Sequence, residues 1–271
     1  MLKVVKFGGS SMADARQFEK VKAIVESDPA RRVVVVSASG KRFKEDHKLT
    51  DLLYLCHAHI KYGVSCDAIF QLIADRYIEI RNECGLKTDV ESELADLRAR
   101  LEEGMSQDEL VSRGEYFSAR LMADYLGYEF LGATEWLKFS FDGEIDTKAP
   151  YALLKEKAAG KRVVIPGFYG AMPDGRIRVL TRGGSDITGA LAAAALDADV
   201  YENWTDVSGI LMVDPVSLRT LSRLSATHLT SFVSCPIWVP RCFMRARYSR
   251  SARKIFLSIS AIPTVRSIPV R

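Results

Sequence analysis

The chain has 271 residues, of which 48% are hydrophobic and 27% are charged, and its formal net charge is +4. This composition is ordinary for a globular protein, and the length allows one large domain or two modest ones. The longest apolar runs, Val33–Val36 and Leu191–Leu196, exclude a membrane-spanning helix. We expect no secretory leader. Five cysteines without a Cys-x-x-Cys pair favour the cytoplasm and are expected to be small buried residues.

The first predicted element is a strand at Leu2–Phe7 that runs into Gly8-Gly9 and Ser10-Ser11. Two glycines allow the backbone to turn its N–H groups toward a ligand, and the start of a helix beside Lys6 favours an anion. A capping box at Ser11-Met-Ala-Asp14 is predicted to open that helix. The pattern predicts a phosphate-binding loop of neither the Walker A nor the Gly-x-Gly-x-x-Gly type. A plain diglycine turn is the alternative.

Strands and helices alternate along most of the chain. Strands are predicted at Val4–Phe7, Arg32–Ser37, Val163–Pro166, Ile177–Thr181 and Val200–Trp204. Helices are predicted at Asp14–Ser27, Leu49–Tyr62, Cys66–Glu83, Val90–Leu101, Gln107–Leu126 and Ile187–Leu196. The pattern favours a mainly parallel sheet with helices on both faces. The strand-free stretch from Leu49 to Leu126 predicts a helical insertion or lid.

A glycine lies inside the helix predicted from Gln107, which a capping box of Ser106 and Glu109 opens. Glycine costs a helix interior about 1 kcal/mol relative to alanine, so Gly114 calls for a reason. Close approach of a ligand or a neighbouring backbone is one reason, and it would place Glu115 in a site. On spacing alone, surface side chains around a tolerated glycine are the preferred interpretation.

A second diglycine loop, Arg182-Gly183-Gly184-Ser185-Asp186, follows a predicted strand and precedes an alanine-rich helix. Ser185 or Asp186 is predicted to cap that helix, and Arg182 can hold a carboxylate or a phosphate. Two such loops in one chain suggest a site for a phosphate chain and a site for an anionic acceptor.

Two further turns follow predicted strands. Thr205-Asp206-Val207-Ser208-Gly209-Ile210 lies where sheet edges bind nucleotides, with an Asx turn at Asp206 as the alternative. Ser37-Ala38-Ser39-Gly40 is a turn of small residues. The charged segment that follows it, residues 41–48, is interpreted as a mobile, solvated loop.

Five ordered motifs resemble the catalytic domain of aspartate kinases. They are Lys-Phe-Gly-Gly-Ser-Ser at 6–11, Leu-Thr-Asp-Leu-Leu at 49–53, Arg-Gly-Glu at 113–115, Arg-Gly-Gly-Ser-Asp at 182–186 and Thr-Asp-Val-Ser-Gly-Ile at 205–210. The resemblance covers residues 1–215. It implies the amino acid kinase fold, a three-layer α/β/α sandwich around a mainly parallel sheet with a helical insertion at about residues 49–126.

The resemblance also implies an activity: transfer of the γ-phosphoryl group of ATP, with Mg²⁺, to the side-chain carboxylate of L-aspartate. The product, 4-phospho-L-aspartate, leads to lysine, threonine and methionine. Because the acceptor carboxylate is ionised at neutral pH, no general base is needed, and positioning and charge neutralisation carry the reaction. The resemblance further implies a cytoplasmic homo-oligomer without a nucleic-acid or membrane partner.

Individual residues acquire roles by the same resemblance. The implied ATP-binding residues are Lys6, Gly8, Gly9, Ser10, Ser39, Thr205, Asp206 and Leu211. The implied aspartate-binding residues are Thr50, Glu115, Arg182, Gly183, Gly184, Ser185 and Asp186. Lys6 and Asp186 are the implied catalytic residues. Arg182 would hold a substrate carboxylate and Glu115 would face the substrate ammonium, and no side-chain metal site is expected.

The composition changes abruptly at Val216. Residues 216–271 contain ten Lys and Arg but no Asp, Glu, Asn, Gln or Gly, whereas the preceding residues carry 28 basic and 34 acidic side chains. The motif resemblance stops there too, before the arginine and lysine that relatives place near the nucleotide. We predict a shifted reading frame, because one restored base lets Val216–Ser222 encode Arg-Ile-Val-Glu-Asn-Pro-Lys. A genuine basic tail for nucleic acid or anionic membrane is the rival interpretation.

The predicted domain organisation is therefore a catalytic domain at 1–215 and an aberrant basic tail at 216–271 that replaces its end, with no regulatory domains. Two alternatives to an active aspartate kinase stay open. One is an inactive or crippled nucleotide-binding fragment. The other is a sibling amino acid kinase that acts on another acceptor.

Overall fold

The computed structural model describes residues 1–146, 148–180 and 183–205, together with the strands at 210–211, 223–224, 226–228 and 256–261. The strands are β1 (Lys3–Phe7), β2 (Arg31–Val36), β3 (Glu129–Phe130), β4 (Val163–Pro166), β5 (Tyr169–Ala171), β6 (Ile177–Val179), β7 (Val200–Thr205), β8 (Ile210–Leu211), β9 (Arg223–Leu224), β10 (Ala226–His228) and β11 (Phe256–Ala261). The helices are α1 (Ala15–Glu26), α2 (Leu49–Lys61), α3 (Asp67–Glu83), α4 (Val90–Glu102), α5 (Gln107–Leu126), α6 (Ala133–Trp136), α7 (Lys148–Ala158) and α8 (Gly184–Ala195).

Seven strands form the main sheet in the order β10-β11-β7-β1-β2-β4-β3. Neighbouring strands are parallel except β10 and β11, which are antiparallel. At the centre, Val5 of β1 lies between Val34 of β2 and Glu202 of β7. The parallel strands therefore end at one common edge, where open α/β sheets bind their ligands.

Alternate residues of the central strands enter two separate cores. Val5 and Val34 pack in a core with buried side chains from α1 to α5, whereas Val4 and Val33 pack in a core with α7 and α8. A parallel sheet buried on both faces forms this way because successive side chains point to opposite sides. The three-layer α/β/α fold is thus confirmed, and the four helices α2–α5 belong to one of its layers.

Several local predictions differ from the structure. The strand predicted at Ile177–Thr181 ends at Val179 within the described residues, and it pairs with β5 in a separate antiparallel hairpin rather than in the main sheet. The short elements β3, β5 and α6 were not predicted, since two to four residues give too little periodicity. The helix α7 was not predicted either.

Two predicted caps are wrong and one is confirmed. Ser11 lies in a 3-10 turn (Gly9–Met12), and Asp14 caps α1 by accepting a hydrogen bond from the Gln17 N–H at 2.9 Å.

The cap of α8 is Gly183, whose φ of 86° favours glycine, so Ser185 and Asp186 lie inside the first turn. The predicted cap of α5 is confirmed, because Ser106 accepts from the Glu109 N–H at 3.3 Å.

Two further observations concern the membrane and the cysteines, of which Cys235 and Cys242 lie outside the described residues. No helix among them is both long and apolar enough to cross a membrane. Cys56 and Cys66 are buried and unbridged, as expected, whereas the unbridged Cys84 is half-buried.

Candidate active site

The backbone of the loop after β1 is in direct contact with the backbone of the turn after β2. The Gly40 N–H donates to the Gly9 carbonyl at 2.8 Å, and the Gly8 N–H donates to the carbonyl of Trp204, near the end of β7, at 3.3 Å. A Cβ on Gly40 would lie 2.6 Å from the Gly9 carbonyl carbon, and a Cβ on Gly9 would lie 3.0 Å from the Ala38 oxygen. Glycine is therefore required here by the close contact of two turns.

Lys6 points from β1 to the start of α8. Its side chain is 8% exposed, and its Nζ lies 2.6 Å from Asp186 Oδ1. Asn203 of β7 donates from Nδ2 to the same oxygen at 3.1 Å, and the Tyr201 hydroxyl donates to the Asp186 carbonyl at 3.2 Å. A Cβ on Gly8 would lie 3.7 Å from Lys6 Nζ, so the Lys6 ammonium lies directly beside the diglycine loop.

Gly114 allows α5 to touch the turn at residues 37–40. A Cβ at Gly114 would lie only 2.8 Å from the Ala38 Cβ and 3.2 Å from Leu53 Cδ1. Glu115, the next residue, is 4% exposed and accepts a hydrogen bond from the Ala38 N–H. The preferred sequence interpretation, a tolerated glycine between surface side chains, is therefore wrong, because Glu115 is buried and the side chains of Ala38 and Leu53 leave no room for a Cβ at Gly114.

The buried Glu115 carboxylate at this edge of the sheet has one oxygen that can still accept a hydrogen bond. Its Oε2 has no hydrogen-bond partner among the described residues. Burial raises the pKa of Glu115 to about 8, and the Ala38 N–H and the charge of Lys6 oppose that rise only in part. A cationic group placed against Oε2 would restore the ionised form.

The second diglycine loop packs on the residues that follow β4. A Cβ on Gly167 would lie 2.7 Å from the Ser185 Cβ, and a Cβ on Gly184 would lie 2.6 Å from the Leu180 Cβ. Phe168 has a φ of 77°, which is unusual for a bulky residue, and its N–H donates to Thr188 Oγ1 at 3.1 Å. These contacts hold the first turn of α8 at the same edge as Lys6.

The hydroxyl and the carbonyl of Ser39 both form hydrogen bonds inside the protein. Ser39 is 1% exposed, its hydroxyl donates to the Ala13 carbonyl at 3.3 Å, and its carbonyl accepts from the Leu49 N–H at 3.1 Å. That last bond places the first turn of α2, with the half-buried Thr50, beside the turn at 37–40. Ser39 organises this turn, and its predicted role toward ATP stays a prediction.

The structure brings most of the predicted site residues to one edge of the sheet. These are Lys6, Gly8, Gly9, Ser39, Thr50, Glu115, Gly183, Gly184, Ser185 and Asp186, with the exposed Ser10 in the adjoining 3-10 turn. Arg182 and Asp206 lie outside the described residues. For Thr205 and Leu211 only the backbone is described, in β7 and β8.

Sequence reasoning missed Asn203, which fixes the Asp186 carboxylate and whose Oδ1 is buried without a partner in the described part of the chain. A signal was present, since an asparagine inside a strand at the centre of a parallel sheet is unusual. Its partner on α8 is not visible from sequence.

A comparison with known families decides the assignment of this fold. The model of the amino acid kinase family matches residues 1–250. The chain belongs to the amino acid kinase family. The family match extends past Val216, where the motif resemblance stops.

Within this family the chain is similar to aspartokinases. It is 37% identical to aspartokinase 3 of Bacillus subtilis over 240 residues, which cover 83% of the chain and 53% of that protein. It is 31% identical to the lysine-sensitive aspartokinase 3 of Escherichia coli over 290 residues, covering 98% of the chain and 60% of that protein. The chain thus spans little more than half the length of these relatives.

Solved structures give the same result. The aspartate kinase of Clostridium acetobutylicum matches with a TM-score of 0.77 and 46% identity, over 81% of this chain and 51% of that one. Aspartokinase III of E. coli in complex with aspartate and ADP matches with a TM-score of 0.69 and 28% identity, over 83% of this chain and 54% of that one.

Proposed function

We propose that the chain binds ATP and L-aspartate at this edge and transfers the γ-phosphoryl group to the side-chain carboxylate of aspartate. The observation that carries the proposal is the buried Glu115 Oε2, which lacks a partner among the described residues. Among the described residues of that site, the other charged groups are Lys6 and Asp186. An amino acid substrate supplies the ammonium that this oxygen lacks. The similarity to aspartokinases supports aspartate as that substrate.

The two substrates are proposed to lie side by side. On the ATP side we place Lys6, Gly8, Gly9, Ser10, Ser39, Thr205, Asp206 and Leu211. On the aspartate side we place Thr50, Glu115, Arg182, Gly183, Gly184, Ser185 and Asp186. Lys6 would neutralise charge on the transferred phosphoryl group, and Asp186 would orient the Lys6 ammonium, from which it lies 2.6 Å away.

The proposed chemistry needs little beyond positioning. The aspartate carboxylate is already ionised, so the protein has to bring two anions together, shield their repulsion and exclude water. Mg²⁺ commonly keeps water and phosphate ligands, so a Mg²⁺ that arrives with the nucleotide would need few ligands from the chain. The described part of the chain has no cluster of three or more metal-ligating side chains. Bound in this way, Mg²⁺ would neutralise phosphate charge.

A second candidate is a nucleotide-binding fragment with little or no turnover. The departure after Pro215 favours it, because ten basic residues and no acidic residue, amide or glycine follow. We accordingly propose a catalytic domain at 1–215 and a frame-shifted segment at 216–271. Sequencing the coding DNA around the Pro215 codon tests the proposal, and an intact frame in the genomic copy would refute it.

The deciding experiment is a coupled assay of ADP release with the full chain, ATP and either L-aspartate or L-glutamate. Release that depends on aspartate, with glutamate at background, supports the proposed function. Release with another acceptor alone supports a sibling kinase, and ATP binding without turnover supports the fragment. We further propose a cytoplasmic homo-oligomer, which size-exclusion chromatography with light scattering can test.

A further inference from the structure

Arg76 of α3 is a buried charged side chain outside the residues assigned to substrates, and it is 4% exposed. Its Nη1 donates to the Gly40 carbonyl at 2.9 Å and lies 3.3 Å from Ser39 Oγ and 3.4 Å from the Ala13 carbonyl. Its Nη2 donates to Asp46 Oδ2 at 2.7 Å. One guanidinium thus joins four groups from three segments of the chain.

These segments form the edge of the candidate site. Ala13 follows the 3-10 turn of the first diglycine loop, and Ser39 and Gly40 belong to the turn after β2. Because Gly40 is hydrogen-bonded to Gly9 and has no room even for a Cβ, the two turns cannot move independently. A side chain that holds residues 37–40 therefore also holds the diglycine loop.

Asp46 is the buried anchor of an otherwise exposed basic loop, residues 41–48. It is 7% exposed, whereas residues 41–45 are exposed. The Arg42 N–H and Nε donate to Asp46 Oδ2 at 2.9 and 3.0 Å. Burial would raise the pKa of Asp46, but the hydrogen bonds from Arg42 and the charge of Arg76 hold that pKa below its usual range. The carboxylate therefore remains ionised for Arg76.

A second, weaker contact joins the same loop to the same helix. Arg42 Nη1 donates to Glu79 Oε2 at 2.9 Å, and Glu79 lies one turn after Arg76 on α3. This pair is exposed, so water and salt screen it. The buried Arg76–Asp46 pair is the contact that fixes the loop.

We propose that Arg76 and Asp46 form a latch that holds the turn at residues 37–40 in place for phosphoryl transfer, with Arg76 as a positioning residue. This inference rests on the proposed function. Because a misplacement of about 1 Å can cost about 100-fold in rate, loosening the latch lowers kcat by about that factor. Arg76 makes its hydrogen bonds to Ala13, Ser39, Gly40 and Asp46, none of which is proposed to bind aspartate, so the KM for aspartate stays within about threefold.

The test compares Arg76→Met with the matched control Arg81→Met in the full chain. Arg81 lies on the same helix and pairs with Glu91 of α4, away from the turn. In the coupled assay, Arg76→Met should lose about 100-fold in kcat with a nearly unchanged KM for aspartate, whereas Arg81→Met should keep its kcat. Millimolar guanidinium ion should restore part of the kcat of Arg76→Ala.

Limited digestion with trypsin tests the latch independently of the catalytic activity of the chain. Trypsin cleaves after lysine and arginine, and the basic loop offers Lys41, Arg42, Lys44 and Lys48. Cleavage in this loop should be about tenfold faster in Arg76→Met than in the wild type, because a held loop opens rarely. Asp46→Asn, which keeps the shape of the side chain, should likewise lower kcat and speed up cleavage of the loop.

The outcomes separate this inference from the proposed function. A folded Arg76→Met variant with kcat within about threefold of the wild type overturns the proposal, as does loop cleavage at the wild-type rate. If Arg76→Met does not fold, Asp46→Asn is judged by the same criteria. A wild-type chain without aspartate-dependent ADP release refutes the proposed function, and tryptic cleavage then decides whether the latch exists.

Discussion

Aspartate binding should release a proton from Glu115. Burial raises the pKa of this carboxyl to about 8, so at pH 7 about nine molecules in ten carry the neutral acid. The substrate ammonium pairs only with the ionised form. Ionising Glu115 at pH 7 costs about 1.4 kcal/mol, which weakens binding about tenfold relative to the plateau above pH 8.

Isothermal titration calorimetry measures both quantities. The dissociation constant for aspartate should fall about tenfold between pH 6 and pH 7 and then level off above about pH 8. Titrations in buffers with different ionisation enthalpies should give about 0.9 proton released per aspartate at pH 7. Glu115→Gln is the matched control, with weak binding that does not depend on pH in this range. A pH-independent dissociation constant without proton release in the wild type would refute the role of Glu115.

The same pKa predicts how the unliganded protein responds to pH. The folded protein keeps the Glu115 proton up to about pH 8, whereas the unfolded chain loses it near 4.5, the ordinary pKa of a glutamate side chain. The free energy of unfolding therefore falls as pH rises through this window and changes no further above it, by at most about 5 kcal/mol. Thermal unfolding of Glu115→Gln should show a stability gain over the wild type at pH 8.5 that disappears near pH 4.5.

Three other substitutions test the site. Lys6→Ala should abolish aspartate-dependent ADP release while circular dichroism reports a folded chain, and turnover within about threefold of the wild type would exclude Lys6 as the phosphate lysine. Gly114→Ala should lower the free energy of unfolding by about 1–3 kcal/mol, measured in urea, because its Cβ would lie 2.8 Å from that of Ala38. Tyr77→Phe should cost about 1–2 kcal/mol in the same titration, since its hydroxyl donates to the Gly114 carbonyl at 2.7 Å, and an unchanged midpoint would contradict that bond's contribution.

Local patterns determined the regular elements. The helix at Gln107–Leu126 and the strand at Val163–Pro166 have the predicted bounds, because amphipathic periodicity, a serine cap and a β-branched run act over a few neighbouring residues. The diglycine loops were also visible in the sequence, since a strand followed by two glycines and a helix is a local pattern. The parallel sheet followed from the alternation of these elements.

Tertiary contacts decided which side chains share an environment. Spacing favoured a surface position for Glu115, but the contact of Gly114 with Ala38, 76 positions earlier, buries it. Arg76 and Asp46 lie in segments that sequence reasoning treated as an ordinary helix and a solvated loop, and only packing makes them a buried pair. Burial and pairing depend on residues distant in the chain, whereas periodicity and capping do not.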